Sequence, residues 1–209
     1  MIIAIDGPAA AGKGTLARRV AREFGLNYLD TGLIYRAVGM AVLRAGQDPA
    51  DPAAAEAAAR SLDPATFADP ALREEQAGGA ASKVAAIPGV RAALLEFQRT
   101  YAGQAPGAVL DGRDIGTVVC PAADVKLFVT ASLEKRAERR LKELLDKGEN
   151  AIRERVLQDM KERDERDSAR SVAPLAPATD AVVLDTSELD ADAAFAVAAK
   201  IISQRRSAD

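Results

Sequence analysis

Short apolar runs alternating with helix-patterned stretches constrain this chain more than any other feature. The runs are "IIAID" (2–6), the weaker "NYLD" (27–30), "GAVLDG" (107–112), "VKLFVT" (125–130) and "AVVLDT" (181–186). Each is nearly continuous in apolar residues, as suits a strand buried on both faces. The spacing predicts helices between them: 13–25 ending at Gly25, 132–147 opening at Ser132 and ending at Gly148, and 191–204 behind Asp190 as a cap. Strands alternating with helices imply a parallel, helix-covered sheet. No internal repeat interrupts this order, and the alanine-rich stretch 49–70 reads as biased helix and loop composition.

A chain of 209 residues buries roughly 70% of its unfolded surface as one domain. Lys and Arg number 28 against 31 Asp and Glu, a net charge of −3, so no broad basic field for nucleic acid or anionic membrane is present. Cys120 is the single cysteine and histidine is absent. Intrachain disulfides, cysteine-clustered zinc sites and every triad with a histidine base are therefore excluded. With neither a signal-like amino terminus nor an apolar run near the ~20 residues of a membrane span, a soluble cytoplasmic protein is expected.

The first strand runs directly into "GPAAAGKGT" (7–15). Gly7 and Gly12 bound a tight loop between strand and helix, where backbone N–H groups and the helix amino terminus converge on one spot that attracts phosphate. Pro8, Ala9, Ala10, Ala11 and Gly14 complete the loop, and Lys13, read as an exposed loop lysine that packs nothing, reaches the β- and γ-phosphates of a bound nucleotide. Gly14 stands where a serine or threonine commonly follows the lysine, so the hydroxyl that helps place Mg²⁺, directly or through water, is Thr15. The bland alternative is a glycine-rich turn with a solvated lysine.

Three arginine-bearing clusters lie elsewhere. "LDTGLIYR" (29–36) delivers Thr31 and Arg36 from a strand end, and "LDGRDIGTVV" (110–119) delivers Asp111, Arg113 and Asp114 from another. Carboxyl ends of strands form the ligand crevice of an open α/β sheet, so both clusters are expected there; turn formers with solvated arginines are the alternative. In "KERDERDSARSVAPL" (161–175), Arg163, Arg166, Asp167 and Arg170 share one face if the segment is helical. Basic residues 153, 155, 161, 163, 166 and 170 balance acidic residues 154, 159, 162, 164, 165 and 167, so this is no nucleic-acid patch. A solvated, salt-bridged helix competes with a lid that gathers planar cations around phosphate.

Taken in order, "GPAAAGKGT", "DTGLIYR", "DGRDIGTVV" and "RDERDSARSVAPL" resemble the bacterial cytidylate kinases, nucleoside monophosphate kinases of the P-loop superfamily, over nearly the whole chain. The resemblance implies a three-layer α/β sandwich with a central five-stranded parallel sheet, in one domain. Its core would take 1–35, 105–147 and 172–209, an acceptor-binding region 36–104 and a short helical lid 148–171. It also implies transfer of the γ-phosphoryl of ATP to CMP or dCMP with Mg²⁺, by a monomer with small-molecule partners only. By matching positions, Thr31, Arg36 and Arg113 hold the acceptor nucleotide, Arg163 and Asp167 its sugar, and Arg170 the phosphates, while Ser82, Arg91 and Asp114 recognise the base. Lys13, Arg113, Arg163 and Arg170 surround the transferring group, and Asp111 orients metal-bound water. One departure is that many family members carry a stranded insertion over the acceptor site, whereas 62–80 offers no strand pair. The rival readings are a kinase for UMP or AMP, and a non-kinase nucleotide switch.

Overall fold

The apolar runs form one sheet of five strands in the computed structural model, which describes residues 1–206. The strands are β1 (Ile2–Asp6), β2 (Asn27–Asp30), β3 (Ala108–Gly112), β4 (Val125–Thr130) and β5 (Val182–Asp185), ordered β2-β3-β1-β4-β5. β1 pairs in parallel with both β3 (Ile2 with Ala108) and β4 (Ile3 with Val125), and β4 pairs in parallel with β5. Ile3, Ala4 and Ile5 are all fully buried, so β1 is covered on both faces, as its unbroken apolar run requires. The edge strand β5 instead alternates, with Leu184 buried and Val183 exposed.

Helix α1 (Lys13–Phe24) and helix α8 (Ala191–Arg206) supply the apolar residues that cover one sheet face. Leu16, Ala17, Val20, Ala198 and Ile202 join Ile3, Ile5, Val109, Leu127 and Val129 in one buried cluster. Gly25 takes the left-handed conformation that ends α1, where its missing Cβ removes the strain. Helices α6 (Leu133–Asp146) and α7 (Arg153–Ser168) pack on each other through Ala137, Leu144, Val156 and Met160. These elements belong to one compact unit, Met1–Leu29 with Ala102–Asp209.

The second unit, Asp30–Tyr101, is helical. It holds α2 (Thr31–Arg44), α3 (Pro52–Arg60), α4 (Glu75–Val84) and most of α5 (Pro88–Ala102). Four Asp-Pro pairs punctuate it: Asp48, Asp51, Asp63 and Asp69 each precede a proline and each accept a hydrogen bond from the N–H two residues on, at 2.9 Å, and the last three open helical turns. The proline fixes φ for a first helical turn while the carboxylate caps it. The alanine-rich stretch therefore becomes α3 and two 3-10 turns, and 62–80 contains no strand. Gly39 lets α2 approach α4, since a Cβ there would lie 2.7 Å from the Ala80 Cβ. Pro88 and Gly89 open α5, and the break between α4 and α5 falls at 85–87.

Candidate active site

In the sheet unit, the order β2-β3-β1-β4-β5 sends the connection after β1 toward β2 on one side, whereas those after β3 and β4 leave toward the other. This is the switch point where α/β sheets bind ligands. Gly7 has φ 145°, and a Cβ on it would overlap the Val129 carbonyl oxygen, so only glycine fits. Ala10 is left-handed at φ 56°, as is Gly12 at 88°. Gly12 occupies the cap position of α1 without a side-chain cap, and the first turn carries no acidic residue. The N–H groups of that turn are thus left to an anion.

Lys13 differs from the exposed residue expected. It is only 6% exposed, and its Nζ donates to the Pro8 carbonyl at 2.8 Å, closing the loop over itself. Burial, then the charges of Arg113 and Arg163, lower its pKa to about 7 against the opposing pull of Asp111 and Asp6. Folding brings three of these four charges, Asp111, Arg113 and Arg163, from roughly 100 or more residues along the chain.

Arg113 follows β3 and donates from Nε to Asp167 Oδ2 at 3.0 Å and from Nη1 to the Gly112 carbonyl at 3.1 Å. Asp167, in the last turn of α7, also accepts from Arg170. Burial alone would raise the Asp167 pKa, but the charges of Arg113, Arg170 and Arg163 hold it below the ordinary carboxylate range. One buried carboxylate therefore fixes two guanidinium groups, and the electrostatic reach of Arg163 extends to it and to Lys13. Two details depart from a shared helical face. The helix ends at Ser168, so Arg170 lies beyond it, and Arg166 points to solvent, 3.9 Å from Glu162.

Asp111 is buried in β3 and accepts from the Tyr28 hydroxyl at 2.8 Å. A Cβ on Gly14 would sit 3.3 Å from Asp111 Oδ2, so the glycine in place of a hydroxyl residue leaves that carboxylate room. Thr15 is exposed on the first turn of α1. Carboxylate and hydroxyl oxygens are the donors Mg²⁺ takes. Among the described residues no three His, Cys, Asp or Glu gather to cage an ion.

Sequence reasoning missed several contacts around the loop. Arg136 of α6, 5% exposed, donates to the Ala131 carbonyl at 3.0 Å, the Ala9 carbonyl at 3.4 Å and Asp164 of α7 at 2.6 Å, joining the loop to α7. Thr186, just past β5, donates to the Ala11 carbonyl at 3.2 Å. Asp6, the last residue of β1, accepts from the N–H of Ile115 and of Gly116, each at 2.7 Å. Burial and neighbouring Asp114 raise its pKa to about 6 against those two hydrogen bonds. Strand-end position was the one sequence signal available for Asp6 and Thr186. Asp114 itself is 4% exposed.

The helical unit gathers the other predicted residues. Thr31 is buried at the start of α2, where Asp30 caps the helix by accepting from the Leu33 N–H at 3.3 Å. Arg36 donates to the Leu72 carbonyl at 2.9 Å. Ser82 of α4 and Arg91 of α5 are both buried, flanking the 85–87 connection, and Arg91 donates to the Ala85 carbonyl at 3.3 Å. Its guanidinium lies 5.5 Å from the centre of the Tyr35 ring, a partner the sequence did not announce.

The profile of the cytidylate kinase family matches residues 3–206. The chain belongs to the cytidylate kinase family. The cytidylate kinase of Paramagnetospirillum magneticum is 71% identical over 98% of this chain and 99% of its own length, and that of Rhodospirillum rubrum 62% over 98% of both. The crystal structure of an uncharacterized protein from Eubacterium ventriosum shares the fold at a TM-score of 0.57, with 15% identity and 98% of each chain covered. As a member of this family the chain is an enzyme, a nucleoside monophosphate kinase. No helix among the described residues is long and apolar enough to cross a membrane.

Proposed function

We propose that this enzyme transfers the γ-phosphoryl group of ATP to CMP or dCMP, releasing ADP and CDP or dCDP. The observation that carries the reading is the pair Arg113 and Arg170 fixed on the buried Asp167, with Lys13 under their influence at the end of an uncapped helix. Phosphoryl transfer spreads negative charge over equatorial oxygens, and permanently charged planar donors already in place stabilise it without reorganisation. The loop 7–15 holds the β- and γ-phosphates through its N–H groups and Lys13, which exchanges the Pro8 carbonyl for phosphate. Thr15 and Asp111 would hold Mg²⁺, which neutralises phosphate charge when bound. Thr31 and Arg36 hold the acceptor phosphate with Arg113, Arg163 and Asp167 take the sugar, and Arg170 meets the transferring group.

An acceptor phosphate is ionised at neutral pH, so a chain without histidine has little need of a general base; positioning and charge neutralisation supply the acceleration. Base choice falls to Ser82, Arg91 and Asp114. A carboxylate at the exocyclic edge accepts from the amino group of cytosine and repels the carbonyl of uracil. The test is ADP production with ATP and each of CMP, dCMP, UMP and AMP, for the wild type and for Asp114→Ala. CMP and dCMP are the expected acceptors, and Asp114→Ala should lower kcat/KM for CMP by about one to two orders of magnitude while UMP loses little. ADP release independent of any acceptor would instead mark a nucleotide switch, and equal losses for CMP and UMP would remove Asp114 from base recognition.

A further inference from the structure

Asp6 ends β1, and the next residue, Gly7, begins the phosphate loop. Its side chain reaches the far side of the chain, to the turn that follows β3. Both carboxylate oxygens are engaged there: Oδ1 accepts from the Ile115 N–H and Oδ2 from the Gly116 N–H, at 2.7 Å each and across 109 and 110 residues of sequence. These are the first two N–H groups of the π-helical turn Ile115–Val119. Asp114 occupies the cap position of that turn, yet its side chain makes no cap hydrogen bond. The cap is Asp6, supplied from another strand. Gly116 sits against both groups: a Cβ there would lie 3.2 Å from the Lys126 stem and 3.4 Å, ordinary contact, from Asp6 Oδ2.

This arrangement has a consequence beyond satisfying two buried amides. Arg113 and Asp114 immediately precede the capped N–H groups, while Asp6 is covalently joined to the phosphate loop, so one 5%-exposed side chain sets two reacting segments in register. We propose that Asp6 is a positioning residue for phosphoryl transfer, capping the 115–119 turn so that Arg113 and Asp114 are held ready relative to the phosphate loop before CMP arrives. The inference rests on the kinase reading above and deepens it. Asp6 touches no substrate; it acts through the turn it holds.

Asp6→Asn tests this with little change in volume. The amide retains one acceptor and turns an NH₂ group toward the second N–H, so the turn loses its anchor on one side. Measured at 25 °C, well below the variant's melting point, kcat/KM for CMP should fall by about tenfold or more, while the Kd for ATP without CMP stays within about threefold. A purely structural role would lower the melting temperature and leave kcat/KM of the folded enzyme unchanged; that result overturns the inference, as does a loss of ATP affinity in step with activity. The wild type gives an independent readout should the variant fail to fold. The Ile115 and Gly116 amides should be protected from hydrogen exchange by about 10³-fold or more without any nucleotide. Protection that arises only when CMP is added overturns a preset turn. Wild-type enzyme that forms no CDP from CMP overturns the reaction itself, a failure distinct from that of the exchange measurement.

Discussion

Two strand-to-helix turns in this molecule solve the same local problem in opposite ways. After β2, Asp30 is both the last strand residue and the helix cap, and its carboxylate takes the Leu33 N–H at the start of α2. After β1, residues 7–12 intervene, and α1 starts at left-handed Gly12 with no side-chain cap and no acidic residue in its first turn. A helix amino terminus carries roughly half a positive charge wherever it occurs, so the dipole alone does not make a binding site. What separates the turns is whether the protein's own carboxylate already occupies the N–H groups. The capped turn has spent that capacity on stability, and the uncapped one keeps it for phosphate.

The largest effect should come from removing the cation that completes the open turn. Lys13→Ala should lower kcat by about three orders of magnitude, read from initial rates at saturating ATP and CMP. The melting temperature should not fall greatly, because the fold depresses the Lys13 pKa to about 7 and so gains nothing from the charge it buries. Turnover near wild type would remove Lys13 from the reaction. Next comes closing the open turn with a carboxylate. A Cβ on Gly12 meets nothing within 4 Å, and aspartate tolerates a left-handed φ, so Gly12→Asp should fold. Its charge at the anion site should weaken ATP binding by about a hundredfold in calorimetry.

Opening the closed turn should cost less. Asp30→Ala removes the α2 cap and should destabilise the protein by about 1 kcal/mol in urea unfolding, with ATP affinity unchanged. A loss of ATP affinity in Asp30→Ala would contradict the division between the two turns. The smallest effect is a proton. Lys13, with a pKa of about 7, is largely neutral at pH 8, and a bound phosphate favours its charged form. ATP binding at pH 8 should therefore take up a fraction of one proton, measured by calorimetry in buffers of different ionisation heat, and Lys13→Arg should abolish the uptake. By the same sign, free-enzyme stability rises as pH climbs from about 7 toward 10.5, because the unfolded state binds the Lys13 proton in that window and the folded state does not.

The contrast also marks what the sequence could disclose. β1, β2 and β4 end where their apolar runs end, and α1 and α8 begin at Lys13 and Ala191 as their patterns predict, because burial on a sheet and capping are local demands. Glycines at 7 and 12 were legible for the same reason. The burial of Lys13 was not, nor was the depression of its pKa, because after burial itself the charges that lower it are Arg113 and Arg163, far along the chain. Nor was the exit of Arg170 from its helix, where spacing alone continued a face that the chain abandons at Ser168. Arg136 reads in sequence as one more charge on a polar helix; its role as a pin between the Ala9 carbonyl and Asp164 exists only after folding.

The central place of β1 in the sheet bears on how the chain is made. Its first residues are among the most apolar in the molecule, yet their strand partners are β3 and β4, whose first paired residues are Ala108 and Val125. During synthesis from the amino terminus, β1 leaves the ribosome and waits while about a hundred further residues are translated, which takes roughly 5–20 s at 5–20 residues per second. Through that interval an apolar strand waits without its strand partners, and of its native neighbours only α1 has been made. Synthesis rate across residues 30–107 and holdase capacity should therefore govern the yield of folded enzyme more than the stability of the finished sheet does.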